Sequence, residues 1–237
     1  MRTHLAGGHE GVAEDCEIAC LACNHPCRAH LLGTRCNLCQ QCKSFLRQSN
    51  GMDAWPITIS CVMITCQPRL VLARRAIAAF ERQSYPFKEL VIASEDDVST
   101  LDRPFHRIPM GLTLGDKRNF AIARARGYYV AIWDDNDIHA PERLMRQMEA
   151  IARSPTEVDG CVLSNVTLAR PRRDRFAISQ TRQWENTLVG KRWRMPSYPA
   201  MEHGSDTPVV EAMKIVLVND STLLTREEAT EIKMSLG

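Results

Sequence analysis

Residues 115–144, GDKRNFAIARARGYYVAIWDDNDIHAPERL, decide the reading of this chain. DKRNFAIARAR (116–126) has the spacing of a helix, and Gly127 is the expected stop. YYVAIW (128–133) is short, aromatic and apolar, which predicts a buried strand. That strand runs straight into Asp134-Asp135-Asn136-Asp137. Pro141 then opens a further helix with Leu144, Met145, Met148 and Ile151 on one side. A strand ending in clustered carboxylates is chemically unusual, because like charges so close repel and a counter-charge is needed. Carboxylate and amide oxygens are hard ligands that suit Mg²⁺ or Mn²⁺, ions that commonly bridge protein carboxylates and substrate phosphates. The alternative is a solvated acidic turn that caps the helix at Pro141.

Outward from this stretch, strand and helix patterns alternate. ITISCVMIT (57–65) predicts a buried strand and LVLARRAIAAFERQ (70–83) a helix with Leu72, Ala73, Ala76, Ile77 and Phe80 on one face. KELVIAS (88–94) predicts a second strand, and it too ends in acids: Glu95, Asp96 and Asp97. CVLSNVTLA (161–169) predicts one further strand, and the basic stretch 170–194 reads as a solvated loop or as one that meets a phosphorylated or nucleic-acid acceptor. The β-α-β-α-β order implies an α/β fold, a mostly parallel sheet with helices on both faces. Ligands of such sheets sit at the carboxyl ends of the strands, where both acidic clusters fall.

These residues resemble a family-2-like glycosyltransferase of the GT-A fold, a Rossmann-like arrangement. The resemblance rests on Thr65-Cys66-Gln67 after the first strand and on ELVIASEDD (89–97). It rests further on the Gly-x-x-Arg-Asn-x-Ala segment 115–121 ahead of the DXD-type motif at 134–137, and on YPAMEHGSDTPVVEAM (198–213). It implies a metal-assisted, inverting, hexosyltransferase-like transfer from a nucleotide-diphosphate sugar to a hydroxyl acceptor, which is a glycan, a small molecule or a nucleic acid. In this likeness Thr65, Gln67, Glu95, Asp96, Arg118 and Asp134 bind the donor, with the nucleoside on Glu95 or Asp96 and phosphate on Arg118. The metal, Mn²⁺ or Mg²⁺, falls on Asp135 and Asp137 or on Asp134 and Asn136. Asp206 is the catalytic base. Thr207-Pro208 follows it, so a helix cap is the competing role of Asp206. Trp184-Glu185 resembles a loop before the acceptor site, with core packing as the other role.

The resemblance leaves out the first 50 residues, which read as a separate Cys-rich module beside the transferase domain at 56–237. Seven of the ten cysteines lie at positions 16, 20, 23, 27, 36, 39 and 42. Cys20-x2-Cys23 and Cys36-x2-Cys39 form two knuckles, the pattern of a tetrahedral Zn²⁺ site. Cys16, Cys27, Cys42, His25 and His30 remain as spare ligands. Iron–sulfur ligation by Cys16-x3-Cys20-x2-Cys23 is the rival. A short segment with few large apolar side chains needs such a staple to fold. Zinc also opens another reading, a zinc-ribbon binding protein whose transferase-like domain is inactive.

Composition bounds the rest. The chain has 237 residues, 44% hydrophobic, with a net charge of +2, which excludes intrinsic disorder as its overall state. No apolar run reaches membrane-spanning length and the first residues have no apolar signal core, so the expected location is cytoplasmic.

Overall fold

The computed structural model describes residues 19–20, 25–26, 57–170 and 175–227. The chain divides into two compact units, Met1–Trp55 and Pro56–Gly237. In the first, β1 (Ala19–Cys20) pairs antiparallel with β2 (His25–Pro26), so the Cys20 backbone stands opposite His25. The remaining residues of the expected zinc site, Cys23, Cys36 and Cys39, lie outside the described residues.

In the second unit β3 (Ile59–Ile64) is the axis of a seven-stranded sheet. Its β-branched and apolar residues are buried nearly throughout, as expected of a strand covered on both faces. It pairs in parallel with β4 (Lys88–Ser94) on one side and β6 (Tyr129–Ile132) on the other. β5 (His106–Arg107) extends the parallel edge beyond β4. Across β6 lie β11 (Trp184–Lys191), β8 (Gly160–Leu163) and β12 (Ile215–Val218). β11 is antiparallel to both neighbours, so the sheet is mostly but not wholly parallel.

Among the described residues four α-helices flank it: α1 (Leu70–Glu81), α2 (Leu114–Ile122), α3 (Arg143–Arg153) and α4 (Asp206–Glu211). α1 buries Ala73, Ala76 and Ile77, as its period requires. A capping box starts α2, with Thr113 accepting from the Asp116 N–H and Asp116 accepting from the Thr113 N–H. Gly127 is not the stop of this helix, which ends at Ile122. It is small because it abuts β3: its N–H donates to Ser60 Oγ at 2.8 Å, and a Cβ there would stand 2.7 Å from the Ser60 nitrogen.

Two expectations are corrected. Residues 161–169 are not one strand. They break after Leu163, where Ser164 Oγ donates to Asn165 Oδ1 and the Val166 N–H donates to Ser179 Oγ. The chain then enters a second sheet as β9 (Thr167–Arg170). That sheet runs β10 (Arg175–Ile178), β9, β13 (Leu224–Glu227), β7 (Asp137–His139). The stretch 170–194 is likewise not a loop, since it supplies β10 and the central strand β11, with Leu188 and Val189 fully buried. No helix among the described residues is long and apolar enough to cross a membrane.

Candidate active site at the carboxyl ends of the strands

The carboxyl ends of β3, β4 and β6 open on a cleft of about 710 Å³. At the end of β6, Trp133 is fully buried and its indole N–H donates to the Ala76 carbonyl. Beyond it the backbone alternates. Asp134 and Asn136 are partly exposed and line the cleft, whereas Asp135 and Asp137 are 1% exposed. Asp135 accepts from Thr65 Oγ1 at 2.7 Å and is paired with Arg69. Burial pushes its carboxyl up to about 6, against the pull of Arg69. Asp137 does not line the cleft. One of its oxygens accepts from Asn186 Nδ2 at 2.9 Å, and the other is buried without a partner. Burial, and then the neighbouring Asp134 charge, hold the Asp137 carboxyl well above its ordinary range.

The turn is held from behind by residues the sequence reading did not single out. His139 and Arg143 are both buried. Arg143 donates to His139 Nδ1, which leaves the proton on Nε2, and Nε2 faces the Asp134 carbonyl at 3.2 Å. Arg143 also donates to Gln147 Oε1 and to the carbonyls of Ile132 and Thr187. Arg143 and Gln147 lie one turn apart on the buried side of α3, and His139 meets Arg143 from the end of β7. That spacing was the available signal, hidden by the apolar face read from Leu144 and Met148.

The turns after β3 and β4 are tied together, because the Gln67 N–H donates to Asp96 at 2.8 Å. Neither Gln67 nor Asp96 lines the cleft, while Thr65 and Glu95 do. Glu95 accepts from Lys117 Nζ at 2.8 Å and from the Gly111 N–H at 3.0 Å, and the Lys117 hydrogen bond draws its carboxyl below the usual range.

α2 is docked on the segment that precedes α4. The Asn119 amide donates to the Tyr198 carbonyl and accepts the Tyr198 N–H, both at 2.8 Å. The Gly115 N–H donates to the Met201 carbonyl. This docking carries Arg118, 5% exposed, to the cleft wall. Its guanidinium donates to Asp206 Oδ2 and Ser205 Oγ, both at 2.9 Å, and lies 3.7 Å from Asp134 Oδ1. Burial opposes the charge on Arg118, and Asp134 with Asp206 more than restores it. Asp206 is the first residue of α4; the cap position is Ser205, whose side chain makes no capping bond. Its Oδ1 is buried without a partner, and burial raises its carboxyl against the pull of Arg118. On the same rim Trp184 is nearly buried and carries the Arg182 guanidinium 4.1 Å above its ring, and Glu185 accepts from Thr207 Oγ1 at 3.4 Å. Among the described residues no group of three or more His, Cys, Asp or Glu is assembled to hold a metal ion.

The chain belongs to glycosyl transferase family 2, whose family model matches residues 60–201. The fold is also that of solved GT-A-like structures. It is similar to S. aureus TarS 1-349 in complex with UDP, with a TM-score of 0.58 and 14% identity over 73% of this chain and 61% of that one. It is equally similar to S. aureus TarS 1-349 in complex with UDP-GlcNAc, with a TM-score of 0.58 and 14% identity over 76% of this chain and 61% of that one. The chain thus spans about three-fifths of the length of these structures.

Proposed function

We propose that the chain transfers a sugar from a nucleotide-diphosphate donor to a hydroxyl acceptor with inversion, and that Asp206 is the base. The observation that carries this reading is the bridge made by Arg118. One buried guanidinium reaches Asp206 on one side and Asp134 on the other, so a proton acceptor and the acid beyond β6 share one cleft. Asp206 lines the cleft, and its carboxylate takes the acceptor hydroxyl proton. Its desolvation makes it a stronger base than an exposed Asp. The TarS structures hold UDP and UDP-GlcNAc, which makes a nucleotide-sugar donor the natural choice here.

The donor set at 134–137 fits a divalent ion. Asp134 and Asn136 line the cleft and are partly exposed, while Asp135 borders it with its carboxylate held by Thr65 and Arg69, and Asp137 is engaged away from it by Asn186. Asp134, with Arg118 at 3.7 Å as its only ion-pair partner among the described residues, is a single carboxylate, which suits an ion that completes its shell with substrate phosphate and water rather than with a protein cage. Bound there, Mg²⁺ or Mn²⁺ would offset the charge of the departing diphosphate. Thr65 and Glu95 line the donor side, and Gln67 and Asp96 act through the bond that joins their two turns. The Cys-rich segment is proposed as a zinc module through Cys20, Cys23, Cys36 and Cys39, on the strength of its knuckle spacing.

A panel of nucleotide-diphosphate sugars incubated with the full chain and Mn²⁺ or Mg²⁺ tests the reading. Release of nucleoside diphosphate from at least one donor is expected. No release and no nucleotide binding across the panel would point to an inactive, binding-only domain.

A further inference from the structure

We propose that the acceptor carries a phosphate group and that Arg182 and Arg226 bind it, an assignment that rests on the transferase reading above. Five Lys and Arg side chains line the cleft. Three are matched by carboxylates: Arg69 by Asp135, Lys117 by Glu95, and Arg118 by Asp206 and Asp134. Arg182 and Arg226 make no ion pair with any described carboxylate. Two unmatched guanidinium groups in one cleft favour an anion, and their planar forks suit the oxygens of a phosphate.

Their position assigns this anion to the acceptor. The Arg182 guanidinium carbon lies 4.1 Å from the centroid of the Trp184 ring, a cation–π contact that steadies it at the rim. The next residue on that strand, Glu185, is bonded to Thr207 beside the base. Arg226 enters from the second sheet, in register with Leu168 of β9, which also lines the cleft. It also stands opposite Asp137 of β7 in the strand register and lowers that carboxyl without forming an ion pair with it. The donor side, by contrast, is built from the ends of β3, β4 and β6. The strand that carries Leu168 continues to Arg170, and its partner begins at Arg175.

Calorimetry on the full chain saturated with UDP and Mn²⁺ tests this, with glycerol 3-phosphate, glycerol and a short oligothymidylate as probes. Glycerol 3-phosphate should bind and glycerol should not. Arg182→Gln and Arg226→Gln should each weaken glycerol 3-phosphate by about tenfold, as expected for loss of one charge-assisted pair. UDP affinity should stay within about twofold, which also shows that both variants fold. Oligothymidylate binding much tighter than glycerol 3-phosphate, with the same arginine dependence, identifies a phosphodiester polymer as the source. Equal binding identifies a small phosphate ester. Glycerol 3-phosphate binding that UDP abolishes would place the two arginines on the donor diphosphate and overturn the proposal. UDP binding with phosphate binding unchanged in both variants overturns the acceptor assignment alone. A wild-type chain that takes no UDP overturns the transferase reading itself.

Discussion

Asp135 and Asp206 are both carboxyls whose burial raises them, but with different consequences. Asp135 is engaged by Thr65 and Arg69, so its titration acts on stability. Its folded value of about 6 lies above the unfolded value of about 3.9, so the folded state binds more protons in that window. Stability from this group is therefore present below about pH 4 and lost as pH rises towards 6. Thermal unfolding of wild type and Asp135→Asn across pH 4 to 7 should show a downward slope that the variant loses. An identical slope in both would remove Asp135 as its source. Asp206 faces the cleft, so its titration acts on turnover, and the acid limb of a pH–rate profile should lie above the ordinary Asp range of about 4. At this scale the sequence exposed the acids but not their sorting. Asp134-Asp135-Asn136-Asp137 announces a polar strand end, whereas which members face the cleft depends on the backbone alternating into β7. His139 and Arg143 were illegible for a related reason. A buried charge on a helix reads as a surface residue until the carbonyls of Ile132 and Thr187 are seen to meet it.

Among the elements, α2 does most to assemble the site, because it carries Lys117 and Arg118 and is docked on the segment that precedes Asp206. The docking depends on a close approach at Gly115, where a Cβ would stand 1.9 Å from the Pro199 carbonyl oxygen. Gly115→Ala must push the helix and that segment apart. Overpacking of this kind typically costs about 1–3 kcal/mol, which calorimetric unfolding should report as a lower Tm together with reduced turnover. An unchanged Tm would mean that α2 is not seated as described. The three central parallel strands and their helices were legible because each is a continuous apolar run between clear breaks. β11 was not, since Trp184–Lys191 is flanked by arginines and is irregular between Trp184 and Val189. Nor was the second sheet, in which the consecutive strands β9 and β10 are joined by β7 and β13 from distant parts of the chain. Pairing at that separation leaves no local pattern to read.

At the scale of the whole molecule, the unit Pro56–Gly237 contains the complete cleft, while the cysteine-rich residues belong to Met1–Trp55. Elemental analysis of protein purified without added metal should find zinc, and Cys36→Ser should release it while leaving UDP binding intact. Iron in place of zinc, or no metal, would contradict the zinc module. In the other unit, Asp206→Asn separates a catalytic base from a merely structural acid. The amide is nearly isosteric and its oxygen still accepts from Arg118, so donor affinity measured with Mn²⁺ should stay near wild type. What the variant lacks is a proton acceptor, so turnover should fall by at least about a hundredfold. Turnover near wild type, with the donor still bound, would contradict Asp206 as the base and with it the account of how this cleft transfers a sugar.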